Sequence, residues 1–289
     1  MIVVTGATGQ VGGAVARALA SRGVPFRMLV RDTARAPELP GAVAVEGTYE
    51  DAAALDAALE PGDRVFMVSM FAAPDERMLL HRSFVDACNR RQVDRVLYLS
   101  FVDARADAGF RHARTHGATE ELLRASDLSW GAVRNAMYGD ALPDWFDDDG
   151  RITGPGGDGR VSFTMIDELA EAIAVLLAEP ALDDRERVTV TTPDSIDLAG
   201  LAAVAAALTG DDYRYEPVAR EAWKAFRRTR GRAEWSIEAG LSFYDSVAAG
   251  EVDIVGDDYA RVTGREPRTI RQVVELCAAR LPLSRKERT

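Results

Sequence analysis

Short runs of apolar residues alternate with longer stretches of helical apolar spacing through the first half of the chain. Such runs are typical of strands, and such stretches are typical of helices. The predicted strands are Ile2 to Thr5, Phe26 to Val30, Val43 to Val45, Arg64 to Ser69, Val96 to Ser100 and Trp130 to Arg134. The predicted helices are Val11 to Ser21, Ala52 to Leu59, Glu76 to Arg91 and Phe110 to Ala125. Because parallel strands need crossover connections, this alternation predicts an α/β fold with helices on both faces of a parallel sheet.

The pattern changes after Asn135, where turn-forming residues become frequent. The Gly- and Asp-rich stretch from Asp147 to Gly157 predicts a loop. Asp167 is the predicted N-cap of a helix from Glu168 to Ala178, because its carboxylate can accept from free backbone N–H groups. One further strand is predicted from Val188 to Thr191.

A glycine-rich segment from Gly6 to Gly12 lies between the first predicted strand and the first predicted helix. A dinucleotide site needs a tight turn, a close approach of the backbone to the pyrophosphate, and close packing of helix on strand. Glycines at three-residue spacing meet these needs in order, and the N–H groups of the helix start attract phosphate. The residues predicted to hold the cofactor here are Gly6, Thr8, Gly9, Gln10, Val11 and Gly12.

This loop and the strand pattern together predict a Rossmann-type, doubly wound parallel sheet. From Asp197 onward the chain is mainly helical. We therefore expect a dinucleotide-binding domain over residues 1–150 that returns at about 161–193. A smaller, mainly helical C-terminal domain over residues 194–289 is expected to cover the substrate.

The end of the second predicted strand bears on the choice of nucleotide. A cation at this place accommodates the 2′-phosphate of NADP(H), whereas an acid accepts from the ribose hydroxyl of NAD(H). Arg31 ends the strand and Arg35 follows it, and guanidinium groups suit phosphate. NADP(H) is therefore the expected cofactor. Asp32 keeps NAD(H) as the alternative unless its carboxylate caps the next turn.

The composition and net charge of the chain bear on which classes of partner it can bind. The chain has 289 residues, of which 47% are hydrophobic, and its formal net charge is −11. This charge repels phosphate backbones and anionic lipid surfaces, so neither nucleic acid nor a membrane is an expected partner. The N-terminus lacks the pattern of a signal peptide. Cys88 and Cys277 are expected to be buried and reduced, which favours the cytoplasm. The sequence leaves the oligomeric state open.

Several motifs occur in an order that characterises one group of reductases. They are Thr5 to Gly12, Val30 to Asp32, Tyr98 to Ser100, His116 with Glu120, Arg134 and Asn135 with Tyr138, Asp167 to Ala170, and Thr263 to Pro267. The chain resembles the NmrA-like branch of the atypical short-chain dehydrogenase/reductases, in particular its quinone-oxidoreductase-type members. The resemblance covers nearly the whole chain, although Thr48 stands where members often carry an acid near the adenine.

The resemblance implies NADPH as the hydride donor to a quinone or a related carbonyl or enone. It also implies an alternative, because some members lack turnover and sense NADP(H) through protein partners. A ketoreductase or imine reductase of secondary metabolism is a further reading with the same chemistry. The sequence does not choose the small-molecule substrate among these.

The resemblance also indicates where the proton chemistry lies. Typical short-chain reductases carry Tyr-x-x-x-Lys on the helix after the fifth strand, whereas this chain has His112 and His116 at these two places. An imidazole titrates near neutrality, so both are candidate proton donors to a nascent alkoxide or hydroquinone. A structural or solvent-facing role is the alternative for each. No third metal ligand is evident, so no metal is expected.

Further candidate residues follow the predicted strands at the edge where open α/β sheets bind ligands. Ser69 is predicted to contact the cofactor ribose, and Ser100 to contact the substrate or the nicotinamide ribose or else to cap its strand end. Asn135 is predicted to line the same crevice. Tyr138 is a candidate proton donor that would replace the missing tyrosine. Trp145 and Phe146 are candidates for an aromatic lid or for core packing.

A cationic stretch, Arg227 to Arg230, follows Trp223 in the second half of the chain. It predicts either a surface for a partner or a solvated helix face, and the second reading is the simpler one.

Overall fold

Strands and helices alternate as predicted through the first half of the chain in the computed structural model, which describes residues 1–179 and 186–283. The strands are β1 Ile2–Thr5, β2 Phe26–Val30, β3 Ala42–Glu46, β4 Arg64–Met67, β5 Arg95–Phe101, β6 Ser129–Asn135, β7 Met137–Tyr138, β8 Arg151–Gly154, β9 Arg160–Val161, β10 Phe163–Thr164, β11 Arg187–Val190, β12 Ile196–Asp197 and β13 Arg214–Pro217. The helices are α1 Gln10–Ser21, α2 Ala52–Ala58, α3 Pro74–Arg90, α4 Arg111–Arg124, α5 Ile166–Ala178, α6 Leu198–Thr209, α7 Arg220–Thr229, α8 Glu234–Ala248, α9 Asp258–Thr263 and α10 Ile270–Cys277.

Seven parallel strands form the central sheet, in the order β11-β6-β5-β4-β1-β2-β3. The predicted Rossmann-type parallel sheet is therefore confirmed. The strand order reverses between β1 and β4, and open α/β sheets bind ligands beyond the carboxyl ends of the strands at such a point.

Helices cover both faces of this sheet, because neighbouring residues of a strand point to opposite sides. Val4 packs with Leu19 of α1 and Ile173 of α5 on one face. Val3 packs with Phe84 of α3 and Leu123 of α4 on the other face. Burial of a large apolar side chain contributes about 2 kcal/mol, so the two apolar layers hold the sheet between the helices.

A third apolar cluster joins the C-terminal helices to the segment that follows β5. It contains Phe163 of β10, Leu201 of α6, Phe243 of α8 and Val273 of α10. The helices therefore lie against the loops at the carboxyl ends of β5 and β6. Among the described residues no helix has the length and apolar character needed to cross a membrane.

Two local predictions were wrong. The stretch from Asp147 to Gly157 contains β8, which pairs in parallel with β13. Asp167 is not the N-cap of α5, because the helix begins at Ile166 and its N-cap is Met165. Asp140 accepts the N–H of Ile166 there at 2.8 Å, and Asp167 pairs with Arg268 at 2.7 Å. A carboxylate from a distant segment supplies the cap, which no local pattern reveals.

Candidate active site

The glycine turn after β1 has the geometry that a pyrophosphate requires. Gly6 has φ of +64°, which favours glycine, and its carbonyl accepts the N–H of Gly9 at 2.8 Å. A Cβ on Gly12 would lie 2.3 Å from the Gly6 oxygen, so only glycine lets α1 start this close to β1. Gly9 is the N-cap of α1 and gives no side-chain cap, which leaves the first-turn N–H groups for an anion.

The predicted residues of this turn do not all face solvent. Gly6, Thr8, Gly9 and Gln10 are exposed, whereas the Val11 side chain packs into the apolar layer on α1. The contribution of Val11 to a ligand is therefore limited to its backbone.

Hydrogen bonds of Thr5 and Tyr49 link the carboxyl ends of β1 and β4. The Thr5 hydroxyl accepts the N–H of Val68 at 2.8 Å and lies 2.8 Å from the Tyr49 hydroxyl. Tyr49 in turn donates to the Val68 carbonyl at 3.1 Å. Both side chains are buried, so this junction fixes the two loops that flank the reversal of strand order. Sequence reasoning did not find this role.

The structure places the two predicted phosphate ligands on the surface beyond β2. Arg31 and Arg35 are exposed, and neither has a carboxylate partner within residues 1–179 and 186–283. The Asp32 carboxylate accepts the N–H of Ala34 at 2.9 Å and caps a short 3-10 turn. Because Asp32 is engaged in this turn, the arrangement favours a 2′-phosphate over a free ribose hydroxyl.

A buried guanidinium, that of Arg77 on α3, lies at the centre of the predicted catalytic region. Its side chain is 4% exposed and has only neutral partners in the described part of the chain. Nη1 donates to Thr115 at 2.9 Å and lies 3.3 Å from Nδ1 of His112. Nη2 lies 2.7 Å from Nε2 of His116 and also donates to Ser69. Burying a cation is costly, and Arg77 is held by hydrogen bonds without a carboxylate partner in the described residues. A buried charge of this kind marks a candidate functional site.

These contacts fix the protonation of His116. A guanidinium can only donate, so Nε2 of His116 must accept and the ring proton lies on Nδ1. Nδ1 then donates to the Tyr98 hydroxyl at 2.9 Å, and Tyr98 donates to Ser69 at 3.3 Å. Burial, reinforced by the charge of Arg77, holds the pKa of His116 well below its ordinary value. Both ring nitrogens of this predicted proton donor are therefore used inside the network.

The same argument leaves one nitrogen of His112 available. Nδ1 faces Arg77, so the proton lies on Nε2, which has no partner among the described residues and is not buried. Burial and the neighbouring guanidinium lower the pKa of His112 to about 4, which keeps the ring neutral at physiological pH. His112 thus presents a neutral N–H donor.

His112 lies in the wall of a cleft of about 720 Å³ that is lined by the start of α4, the segment between Met137 and Thr153, and helices α7 and α8. Phe110 meets His112 edge-on with ring centroids 5.4 Å apart, and it meets Phe243 in the same way at 5.4 Å. Trp145 lies 6.0 Å from Phe243 and lines the cleft as well. Phe146, the other predicted lid residue, also lines it but is 5% exposed and packs on Tyr213. The cleft therefore offers aromatic walls and one oriented donor.

Ser100 and Asn135 lie below the surface of the site. Ser100 is fully buried and donates to Glu120 at 2.7 Å. The same carboxylate accepts from Arg134 at 2.6 Å and from Arg187 at 2.9 Å. Asn135 is 5% exposed and donates to the Ala136 carbonyl at 2.6 Å. Contact of either side chain with the cofactor stays a prediction.

The Tyr138 hydroxyl has no hydrogen-bond partner in the described part of the chain. Burial raises the pKa of Tyr138 above its ordinary value, although the charge of Arg77 works in the opposite direction. Tyr138 is therefore protonated at neutral pH and lies within the field of Arg77.

His81 is a site residue that sequence reasoning missed. Its Nε2 accepts the N–H of Met70 at 3.1 Å, and Nδ1 lies 2.8 Å from the Thr119 hydroxyl. Burial, together with the charge of Arg77, lowers the pKa of His81 to about 3. His81 thereby holds the loop that carries Ser69 against α4.

Comparison with known proteins agrees with this geometry. The family model described as NAD(P)H-binding matches residues 6–180. The NAD(P)H azoreductase of Xenophilus azovorans is 27% identical over 288 residues, covering 96% of this chain and 98% of the relative. Triphenylmethane reductase of Citrobacter sp., complexed with NADP(H), is 25% identical with a TM-score of 0.82, covering 95% of this chain and 99% of that one. The NADPH-dependent quinone oxidoreductase of Escherichia coli, complexed with NADPH, shares the fold at 23% identity with a TM-score of 0.86, covering 96% and 99%.

Proposed function

The chain belongs to the NAD(P)H-binding family, and from this premise we propose that it uses NADPH to reduce a quinone, or a small carbonyl or enone, in the aromatic cleft. It is an NAD(P)H-dependent oxidoreductase, as the resemblance in sequence predicted. The observation that carries the proposal is the Nε2–H donor of His112. Burial and the charge of Arg77 keep this imidazole neutral, and His112 lines the cleft.

A donor at this place suits the reduction of a conjugated carbonyl. When bound, NADPH supplies the hydride, and negative charge then develops on the carbonyl oxygen of the acceptor. A fixed, neutral N–H stabilises such an oxyanion without the cost of reorganising solvent. Tyr138 does not itself line the cleft but adjoins the cleft residue Met137, and it is the proposed source of the proton that completes the alcohol or hydroquinone, so that one hydride and one proton are transferred.

The walls of the cleft favour a planar acceptor. Phe110 contacts His112, Phe243 contacts Phe110, and Trp145 contacts Phe243, with ring centroids 5.4 to 6.0 Å apart in each pair. Edge-to-face contacts of this kind hold a flat ring in one plane. Hydride transfer depends chiefly on such positioning, so a quinone needs little further machinery.

Turnover with matched acceptors tests the proposal. Purified chain with NADPH is expected to reduce naphthoquinone and, more slowly, cyclohexenone, measured without oxygen as the loss of reduced-cofactor absorbance. NADPH deuterated at C4 is expected to slow the reaction and to place deuterium in the reduced enone. Tight NADPH binding without oxidation by any acceptor would instead favour the NADP(H)-sensing alternative.

The preference for NADPH is tested by replacing Arg31 and Arg35 with alanine. Loss of guanidinium contacts to the 2′-phosphate is expected to weaken NADPH binding about tenfold for each arginine, since such bonds contribute about 1.5 kcal/mol. NADH binding is expected to change less than about twofold, because NADH lacks the phosphate. Calorimetric titration of each variant with both cofactors gives the two dissociation constants.

Arg22 provides the control. It is the C-cap of α1, at the opposite end of that helix from the glycine turn, and it pairs with Glu179 at 3.1 Å. Arg22→Ala should leave both constants unchanged. Equal weakening of NADPH and NADH by Arg31→Ala would contradict a phosphate contact.

A further inference from the structure

The cations of α7 and the turn after it fall into two sets that differ in their partners. On one face each cation pairs with a carboxylate: Arg220 with Asp245, Lys224 with Glu238 at 2.5 Å, and Arg228 with Glu234 at 2.6 Å. Their spacing of four residues places them on one side of the helix. This set is neutralised within the chain, as expected for a solvated helix face.

The second set lines the cleft and is not neutralised. It consists of Arg227, Arg230 and Arg232, and none of these has a carboxylate partner in residues 1–179 and 186–283. Arg227 lies over the ring of Trp223 at 5.0 Å, and Arg230 lies over Phe226 at 5.1 Å. The guanidinium groups of Arg227 and Arg230 therefore stack on aromatic rings of the cleft wall.

These three charges are also close enough to oppose one another. Burial, with the repulsion from Arg232 and Arg230, lowers the pKa of Arg227 below its ordinary value. Asp144, Asp147 and Asp148 line the same cleft, but none of them forms an ion pair with these arginines within residues 1–179 and 186–283. Asp147 accepts the N–H groups of Asp149 at 3.0 Å and Arg151 at 2.9 Å, and so it belongs to a turn of its own. Three neighbouring arginines that no carboxylate pairs with directly repel one another, and an entering anion would relieve this repulsion.

We propose that Arg227, Arg230 and Arg232 form a subsite for an acidic group, a carboxylate or a sulfonate, on the aromatic acceptor reduced at His112. The inference rests on the proposed function for the placement of the acceptor in the cleft. Guanidinium groups bind such oxyanions through paired hydrogen bonds. Phe226, which is 44% exposed, contacts the aromatic part of the same ligand. The preferred substrate is therefore an anionic, planar acceptor, and a neutral quinone is reduced with a higher KM.

Equilibrium binding of two non-reducible probes tests the subsite without turnover. Naphthalenesulfonate carries the anion, and naphthalenesulfonamide has nearly the same shape without the charge. The full chain is expected to bind the sulfonate at least about tenfold more tightly, measured by calorimetry. Arg227→Gln and Arg230→Gln are each expected to remove most of this preference while leaving sulfonamide binding within about twofold.

Arg228→Gln is the matched control, because Arg228 belongs to the same helix and is already paired with Glu234. It should keep the full preference for the sulfonate. Arg230 is exposed, so its variant remains informative if Arg227→Gln fails to fold. Equal binding of the two probes, no binding of the sulfonate, or an undiminished preference in Arg230→Gln would overturn the subsite.

The outcomes for the subsite and for the reductase are distinguishable. A chain that reduces naphthoquinone but binds both probes equally loses only the subsite. A chain that prefers the sulfonate through these arginines but never oxidises NADPH loses only the proposed reaction.

Discussion

Replacing Arg77 with methionine is expected to lower kcat for quinone reduction about 100-fold and to make the reaction sensitive to pH. Arg77 donates to His116 and lies 3.3 Å from Nδ1 of His112, so it decides which nitrogen of each ring carries the proton. Without it, His112 is free to take either tautomer and to become charged. Steady-state kinetics from pH 5 to 8 measures both effects.

The direction of the pH effect follows from the pKa of His112. In the wild type this pKa is about 4, so the ring is neutral throughout the assay range. Burial, the larger cause of the low pKa, remains when the Arg77 charge is removed, so the pKa rises part of the way and the neutral donor begins to be lost as the pH falls toward 5. Arg77→Lys keeps the charge but lacks the planar set of N–H donors of a guanidinium. It should restore the flat pH profile but recover only part of the wild-type kcat.

Arg82→Met serves as the control, because Arg82 is exposed on the same helix. Thermal unfolding and NADPH binding, measured on each variant, separate a positioning role from a loss of fold. A kcat within about threefold of wild type, or a pH profile that does not move in Arg77→Met, would contradict the assigned role of Arg77. His112→Phe should reproduce the loss of kcat without creating a new pH dependence.

The sheet and the glycine turn could be predicted because their signals are local. Alternating apolar runs give the strands, and the spacing of Gly6, Gly9 and Gly12 has meaning only between a strand and a helix. These features depend on residues within about a dozen positions of one another.

The network around Arg77 could not be predicted in the same way, because it joins α3, α4 and the loop after β4. A signal was nevertheless present in α3. Arg77, His81, Phe84 and Cys88 recur at spacings of three and four residues, so Arg77 and His81 continue the apolar face of the helix. Polar residues on a buried helix face require partners, and this rule would have singled out both.

The two histidines of α4 illustrate how position on a helix separates similar residues. His116 lies one turn further along α4 than His112, where Arg77 and Tyr98 occupy its two nitrogens. His112 lies at the start of the helix, beside the cleft, and keeps one nitrogen available. The motif identified the pair, but only the packing distinguishes the internal residue from the one that faces a ligand. Direct contact of His116 with substrate stays a prediction.

Acidification from pH 8 to pH 5 is expected to lower the free energy of unfolding by about 2 kcal/mol through His81 alone, and His116 lowers it further. Both are buried and neutral in the folded chain, with the pKa of His81 lowered to about 3 and that of His116 also well below normal. The unfolded chain binds a proton at each below about pH 6.5, so stability falls as the pH falls, by about 2 kcal/mol for His81 at pH 5. Urea unfolding at several pH values measures this difference.

His81→Gln isolates one of the two contributions. The variant removes a titrating group, so its stability should fall about 2 kcal/mol less than that of the wild type between pH 8 and pH 5, whatever its stability at pH 8. The comparison uses the change with pH, because loss of the bonds to Met70 and Thr119 lowers stability at every pH. An equal fall in variant and wild type would show that His81 is charged in the folded chain.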